Sequence, residues 1–214
     1  MSTESFSAKK TQIYFIVLLA VAAGVVFFLI SKKTSADEPA TSIPVATTAP
    51  VPADQKQFEA TVPSFKQPFK EATTDYEISQ VRLKRKVALR NLMPSLASLR
   101  FTNWVGQVSK IKKDSLGTYS VAITLQGSSI TVKTHESSVD DLDLGTQLKS
   151  ADPLYNIVQG LKEGQSVLIT GTFFESQRDG LIESSTDDQS SFETPNFIAR
   201  FETIKPLYGN YISL

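Results

Sequence analysis

The sequence predicts a mainly β domain with flanking helices, preceded by an N-terminal helix that crosses a membrane. Three observations support this prediction. Residues 13–30 are apolar and uncharged, residues 78–92 carry apolar side chains at helical spacing, and from residue 101 onward apolar and polar side chains alternate as in a strand. The predicted parts are a tail (1–10), a transmembrane helix (11–31), a tether (32–70), a basic helical segment (71–100) and a β-domain (101–214).

The apolar run from Ile13 to Ile30 contains eighteen residues. As a helix with a rise of ~1.5 Å per residue it spans about 27 Å, close to the hydrocarbon thickness of a bilayer. A cleaved signal peptide usually has a shorter run followed by small residues, and a core helix is usually polar on one face. We therefore predict that residues 11–31 contact the lipid bilayer, with Ile13, Leu18, Val25 and Ile30 among the membrane-spanning positions.

Two lysines flank this run on each side and can reach the headgroups: Lys9, Lys10, Lys32 and Lys33. Because the flanks are equal in basic residues, they give little information on orientation. The short N-terminal tail favours an N-terminus inside the cell. For a bacterial protein this predicts a single-pass protein of the inner membrane, with most of the chain in the periplasm.

Residues 32–70 are rich in Pro, Ala, Thr and Ser. Such a composition favours extended polyproline II conformations, so we predict a semi-rigid tether without a packed core. The tether either separates the domain from the membrane or reaches across the envelope to a partner. The apolar patterns place the start of the packed domain near Asp75.

A helix is predicted next, because Thr74 and Glu77 have the spacing of a capping box. Its apolar residues are Ile78, Val81, Ala88, Leu89 and Leu92, and its basic residues are Arg82, Lys84, Arg85, Lys86 and Arg90. We expect the apolar side to dock onto the β-domain and the charges to be solvated. Alternatively, the basic side chains bind anionic lipid, an acidic protein partner or nucleic acid.

The β-domain begins with three predicted strands, at residues 102–111, 119–126 and 130–134. A short helix follows at residues 153–161, with Leu154, Ile157, Val158 and Leu161 on one side. Strands at residues 166–174 and 197–204 complete the pattern, separated by a long polar loop. Three strands, a helix and two strands is the order of an OB-fold, a small Greek-key barrel, which would leave no exposed edges. An incomplete sandwich is the alternative.

Several short runs occur together in this domain: NWVGQV from Asn103, DPLY from Asp152, LKEGQSV from Leu161, TGTF from Thr170, ES at Glu183 and TPNFIARF from Thr194. In this order they resemble the OB-like C-terminal domain of a family of uncharacterised bacterial membrane and envelope proteins. The resemblance covers residues 101–206, about half the chain. It implies a fold rather than an activity, because OB-folds host many functions.

Composition excludes several kinds of chemistry. The chain has no cysteine and a single histidine, His135, so thiolate chemistry is excluded and most zinc sites are disfavoured. A serine triad would need His135 as its base, and a surface or structural histidine is the simpler interpretation. Asp140, Asp141 and Asp143 lack the pattern of a calcium loop, so we interpret them, like Asp187 and Asp188, as solvated. We predict no cofactor, no metal and no enzymatic activity.

Nucleic acid is the main alternative ligand, since OB-folds bind single strands on exposed aromatic rings within a basic groove. The candidate rings are Trp104, Tyr119, Phe173, Phe174 and Phe201, and we interpret most of them as core residues. Residues 101–214 carry nine basic and fourteen acidic residues, a net charge of −5 that opposes phosphate. The sequence therefore favours a membrane-anchored, non-enzymatic binding or scaffolding domain with a protein partner over a tethered module for single-stranded nucleic acid.

Overall fold

The computed structural model describes residues 49–92, 99–137, 141–185 and 187–207. The predicted transmembrane helix, with Ile13, Leu18, Val25 and Ile30, and its flanking residues Lys9, Lys10, Lys32 and Lys33 lie outside these ranges. Within them, no helix combines the length and the apolar composition needed to cross a membrane.

Five strands form a closed barrel. The strands of the chain are β1 (Arg100–Lys113), β2 (Tyr119–Leu125), β3 (Thr131–Lys133), β4 (Ser166–Phe173), β5 (Glu175–Ser176), β6 (Gly180–Leu181) and β7 (Asn196–Pro206). In the barrel, β1 pairs with β2 and β4, β2 pairs with β3, and β4 pairs with β7, all antiparallel. Strands β3 and β7 pair in parallel. The mainly β prediction is confirmed, and the incomplete sandwich is wrong because the sheet closes.

Strand β1 pairs with β2 on one side and with β4 on the other. It bends at an irregularity between Phe101 and Trp104. Asn103, within that irregularity, has a φ of 53°. The bend turns the rings of both Phe101 and Trp104 into the core, where each is 1% exposed. Gly171 opposite is packed so closely that a Cβ there would lie 2.7 Å from the Phe101 ring.

An aromatic cluster fills one part of the core. The Phe58 ring lies 5.1 Å from Trp104, 5.6 Å from Phe173 and 5.2 Å from Phe197, measured between centroids. Trp104 also packs 5.0 Å from Phe101. Phe58 does not belong to the barrel, so a segment from outside the strands completes its core.

That segment consists of helix α1 (Ala53–Thr61), a 3-10 turn (Val62–Phe65) and helix α2 (Lys66–Glu71). The prediction of a polyproline tether is therefore wrong for residues 53–70. Its prolines stand where helices tolerate them: Pro52 precedes α1, and Pro63 and Pro68 lie in first turns, whose N–H groups have no helical partner. Phe58 and Val62, one turn apart, are both buried.

Polar contacts fix α1 onto β1. The Gln55 side chain accepts from the Val105 N–H at 2.6 Å and donates to the Val105 carbonyl at 2.7 Å. The indole N–H of Trp104 donates to the Asp54 carboxylate at 2.8 Å. Because Gln55 is fully buried, its amide needs such partners, and these bonds set the register of α1 on the barrel.

Helix α3 (Asp75–Leu92) confirms the predicted basic helix. Its capping box forms: the Glu77 N–H donates to the Thr74 hydroxyl at 3.2 Å, and the Thr74 N–H donates to the Glu77 carboxylate at 3.0 Å. Val81 and Leu89 are buried as predicted, but Arg85 is also buried between them.

The loop predicted before the last strand is instead structured. It contains the β5–β6 hairpin and helix α5 (Asp188–Glu193), and we refer to residues 174–195 as the excursion. Elements of two to six residues are too short to produce a periodic signal. The excursion packs against the helices, with the Phe192 ring stacked 4.3 Å from that of Phe69.

The helix predicted between the third and fourth barrel strands is present as α4 (Tyr155–Gly160). Leu154, Val158 and Leu161 are buried as predicted, whereas Ile157 is 39% exposed. The helix therefore packs on the barrel through a narrower apolar side than the sequence suggests.

Candidate functional site

A groove of about 400 Å³ lies on the outside of the barrel, where β2 leads into the turn before β3. Three stretches of backbone form most of it: the middle of β1, the end of β2 with its turn, and the start of β4. The lining residues are Ala49, Val105, Gly106, Gln107, Thr124, Leu125, Gln126, Gly127, Ser128, Ser166 and Leu207. Its volume falls in the range of typical ligand sites, about 300–1,000 Å³.

Gly106 determines how closely the strands approach beneath the groove. A Cβ at this position would lie 2.5 Å from Cγ2 of Ile123 and 2.9 Å from the Thr124 carbonyl oxygen. A Cβ atom does not approach non-bonded heavy atoms this closely, so a side chain would separate β1 from β2. Glycine in the run NWVGQV is therefore explained by packing of the groove floor.

None of the described residues that line the groove is ionisable. Hydrogen-bonding groups come from Gln107, Thr124, Gln126, Ser128 and Ser166, and the half-buried Ala49 and Leu207 add apolar surface. The Gln107 amide is already held in place by donating to the Gly164 carbonyl at 2.8 Å. This neutral mixture suits a ligand with amide or hydroxyl groups and is unsuited to stabilising a phosphate.

Two lysines and a carboxylate lie further along the same outer face. Lys110 and Lys133 both flank Ala122 in the sheet, and both bind Glu136, at 3.0 Å and 2.8 Å. Hydrogen bonds from Lys133 and Lys110 lower the pKa of the Glu136 carboxyl to about 2. The two ammonium charges next to the groove are therefore partly neutralised within the chain.

The aromatic rings considered for base stacking are mostly inside. Trp104, Phe173 and Phe201 are at most 4% exposed, which confirms their assignment to the core. Tyr119 and Phe174 are half-buried. The Lys113 ammonium lies 5.1 Å from the Tyr119 ring centroid, and the Arg200 guanidinium lies 5.5 Å from that of Phe174.

Arg85, one of the five candidate partner-binding residues, is 1% exposed. Its Nη1 lies 2.6 Å from Oε1 of Glu183, and its guanidinium lies 5.1 Å from the Phe192 ring centroid. Glu183 also accepts from the Ser191 hydroxyl at 2.7 Å. Burial raises the pKa of the Glu183 carboxyl, an effect that Arg85 and Ser191 only partly offset.

The other four basic residues differ in their surroundings. Arg82 pairs with Asp179 and Asp188, Lys86 donates to the Gln177 carbonyl, and Arg90 lies 2.6 Å from Glu175. All of these partners belong to the excursion. Lys84 points away from it and is exposed.

The expectation of fully solvated charges on α3 is therefore wrong for Arg85. The physical reason for the burial of Arg85 is that the acidic excursion packs beside the helix. Nothing in the sequence indicated this contact. Because Arg82, Arg85, Lys86 and Arg90 bind this excursion, Lys84 is the candidate whose charge stays most available to another molecule.

The interpretation of the aspartates as solvated is wrong for Asp141, whereas Asp187 is exposed as expected and the Asp188 side chain is 38% exposed. Asp141 is buried and accepts from the Thr146 N–H at 2.6 Å and the Gln147 N–H at 2.8 Å. Asp187 caps α5 by accepting from the Ser190 N–H at 2.7 Å, and Asp188 pairs with Arg82. These carboxylates organise turns and helix ends. Asp143 is exposed, and Asp140 lies outside the described residues.

His135 lies just after β3, where its N–H donates to the Thr146 hydroxyl at 2.8 Å and its carbonyl accepts from Gln147. These contacts are structural. Over the parts of the chain that the structure describes, no three His, Asp or Glu side chains come close enough to hold a metal ion.

Comparison with known protein families gives no match for this chain, and comparison with curated proteins gives none either. The groove therefore has to be interpreted from its own chemistry. The groove leaves no pattern in the sequence, because its residues come from separate strands and are of ordinary types. Only the glycine within NWVGQV gave a local signal there.

Proposed function

We propose that this protein is a non-enzymatic, membrane-anchored binding or scaffolding domain of the bacterial cell envelope, and that its OB-like barrel contacts a protein partner through the groove beside β2. The observation that carries the proposal is the uncharged lining of that groove. Residues 11–31 would hold the domain at the inner membrane, with the barrel in the periplasm.

The OB-like assignment is supported by the order of the barrel strands. The three N-terminal strands, the helix α4 and the two remaining barrel strands follow the order of that fold, and β7 joins β3 to β4. OB-folds present ligands on the face of their second and third strands and on adjoining loops. The groove lies at the end of this face, next to the turn from Leu125 to Ile130.

A protein segment is the ligand that this chemistry favours. An extended peptide offers alternating N–H and carbonyl groups, which Gln107, Gln126 and Ser128 can match with neutral donors and acceptors. Ala49 and Leu207, both half-buried, add apolar contacts. The alternative, single-stranded nucleic acid, would need exposed rings and unpaired cations along its path. Three of the five candidate rings are buried, which supports the protein ligand.

The proposal is tested by placing a photo-activatable amino acid at Gln126, inside the groove, in cells that express the full chain. The matched control carries it at Leu116, which is 81% exposed in the turn at the opposite end of β2. We expect a discrete cross-linked protein only from the Gln126 variant. Filling the groove with Ser128→Trp should abolish this product, whereas Leu116→Trp should leave it unchanged.

Nucleic-acid binding is tested separately by fluorescence anisotropy with a labelled single-stranded oligonucleotide. We expect binding that is weak and lost as salt rises, because few phosphates are neutralised. Submicromolar binding at physiological salt would refute the proposal, and the alternative function would replace it.

The proposed orientation has its own test. A phosphatase that is active only in the periplasm, fused after Leu214, should be active. An inactive phosphatase combined with a fluorescent cytoplasmic reporter at the same position would place the barrel in the cytoplasm and refute the periplasmic assignment.

A further inference from the structure

Helix α3 has a second apolar stripe that faces away from the barrel. Tyr76 is 73% exposed, Leu83 is 52% exposed and Val87 is 49% exposed. At about 100° per residue these three lie on one side of the helix, opposite the buried Arg85. Exposed apolar side chains are common individually, but an aligned row on one helix marks an interaction surface.

The spacing of this stripe is that of a coiled-coil seam. With Gln80 included, the outward positions follow steps of four, three and four residues, which is the alternation of a and d positions in a heptad repeat. Gln80 occupies an a position, where a polar residue sets the register of pairing at a cost in stability. The stripe therefore has the pattern that a second helix recognises.

We propose that a second copy of this chain docks on the stripe, with the two α3 helices antiparallel. This arrangement places Tyr76 against Val87 of the second copy and Gln80 against Leu83 of the second copy. A two-fold axis repeats both contacts, which gives four layers in all. An isologous interface of this kind needs no further partner, since one surface serves both sides.

Charge complementarity selects both the second copy and its direction. Glu77 and Lys84 are exposed on the same flank of the stripe, one heptad apart. In the antiparallel pair each Glu77 lies opposite Lys84 of the other copy, which gives two equivalent attractive contacts. In a parallel pair, Lys84 would instead lie beside Ser79 of the second copy, and the two Arg90 side chains would face each other. That arrangement contains no attractive ion pair. Antiparallel helix dipoles also attract each other.

The interface uses exposed side chains, and the Glu77 carboxylate would bind Lys84 of the second copy while it caps its own helix. Lys84 is the basic residue of α3 that points away from the excursion, and the contacts with the excursion are made by the opposite side of the helix. The seam spans only about two heptads, so we expect a weak, reversible dimer. This association concerns a different surface from the groove, and either can fail without the other.

The test uses the full chain, which contains no cysteine, so that introduced thiols report only on themselves. Tyr76→Cys and Val87→Cys chains carrying tags of different size are mixed in mild detergent and oxidised. The antiparallel dimer predicts the mixed disulfide as the main product. Dominant Tyr76→Cys homodimers indicate parallel helices and overturn the proposal, and so does the absence of any cross-link. Leu116→Cys, exposed on a distant turn, measures random collisions.

Dimerisation is then measured by sedimentation of cysteine-free full-length variants. Leu83→Lys should raise the dissociation constant by at least about tenfold, because it places a charge in the central layers. Lys84→Glu should weaken the dimer at low salt and lose that effect at high salt, since it places two carboxylates opposite each other. Leu116→Lys is the matched control and should have no effect. Equal association of Leu83→Lys and wild type would overturn the proposal.

Discussion

Each face of helix α3 carries a residue type that is usually found on the opposite face. The inner face carries a charged side chain, Arg85, at 1% exposure, whereas Leu83 and Val87 on the outer face are about half exposed. The difference is explained by what each face meets. The inner face meets a carboxylate, two aromatic rings and a hydroxyl, while no described residue covers the outer stripe. Burial here depends on the partner available at each position, and hydrophobicity alone does not predict it.

Burying the Arg85–Glu183 pair removes two charges from water, which costs several kcal/mol per ion. Their mutual attraction, the Ser191 hydroxyl and the rings of Phe192 and Phe197 offset this cost. The pair joins α3 to the excursion, so it determines which side of the helix turns inward. We therefore interpret it as a specificity contact between the helix and the excursion.

The largest expected effect tests the inner face. Arg85→Ala should destabilise the fold by about 3–5 kcal/mol, because it leaves the Glu183 carboxylate buried without its counter-charge. Lys84→Ala removes the same charge from the neighbouring position, and it should change stability by no more than about 0.5 kcal/mol because Lys84 is exposed. Urea unfolding followed by tryptophan fluorescence measures both, since the single tryptophan, Trp104, is buried.

A double variant separates loss of the pair from loss of volume. Arg85→Met combined with Glu183→Leu removes both charges and keeps apolar side chains, so it should recover most of the stability lost in Arg85→Ala. If the double variant is less stable than Arg85→Ala, uncompensated charge is not the cause of the loss.

The second prediction compares the same residue type on the two faces. Leu89→Ala should cost about 2–5 kcal/mol, because Leu89 is fully buried and its removal leaves a cavity. Leu83→Ala should cost no more than about 0.5 kcal/mol in the monomer, because Leu83 is half exposed. Thermal unfolding at concentrations below dimer formation measures this contrast. Equal losses would mean that the outer stripe also packs within one chain.

A smaller effect is expected at an exposed ion pair of the same helix. Arg90 and Glu175 have side chains that are 40% and 58% exposed, so Arg90→Ala should cost only about 0.2–1 kcal/mol. Added salt should erase this cost by screening the pair, but should leave the cost of Arg85→Ala almost unchanged. Urea midpoints at low and high salt compare the two. Salt sensitivity at Arg85 would show that water reaches the inner face.

The smallest effect concerns pH. The pKa of Glu136 is lowered from 4.5 to about 2 in the folded protein, so its ionised form stabilises the fold above pH 4.5. That stabilisation is lost as the pH falls from 4.5 through about 2. Wild type should therefore exceed Glu136→Gln in stability at pH 7, and the gap should narrow across this window. A gap that is constant with pH would contradict the ion pairs with Lys110 and Lys133.

Much of the barrel was predictable because its strands carry local signals. Alternation located β2, β4 and β7 to within one or two residues, and the capping box located the start of α3. The predicted start of the packed domain near Asp75 was too late, because Phe58 and Val62 belong to the core. Proline content indicated an extended chain, whereas the prolines of this segment occupy helix starts.

The groove and the Arg85 pair could not be predicted in the same way. Both join residues far apart in sequence: Arg85 meets Glu183, and Gln107 lies opposite Thr124 in one neighbouring strand and Ser166 in the other. Neither set contains an unusual residue type or spacing. Their positions follow from barrel closure and from the docking of the excursion.

The sequence by itself determined the order of the five barrel strands along the chain, the basic helix with its cap, and the acidic character of the β-domain. Each of these follows from periodicity, capping or charge, which are properties of neighbouring residues. Only the tertiary structure decided that residues 53–71 complete the core, that Arg85 is buried while Leu83 is exposed, and that an uncharged groove forms beside β2. The physical reason is that burial is a property of pairs of surfaces. A buried arginine is stable only opposite its carboxylate, and a leucine is buried only where another surface covers it.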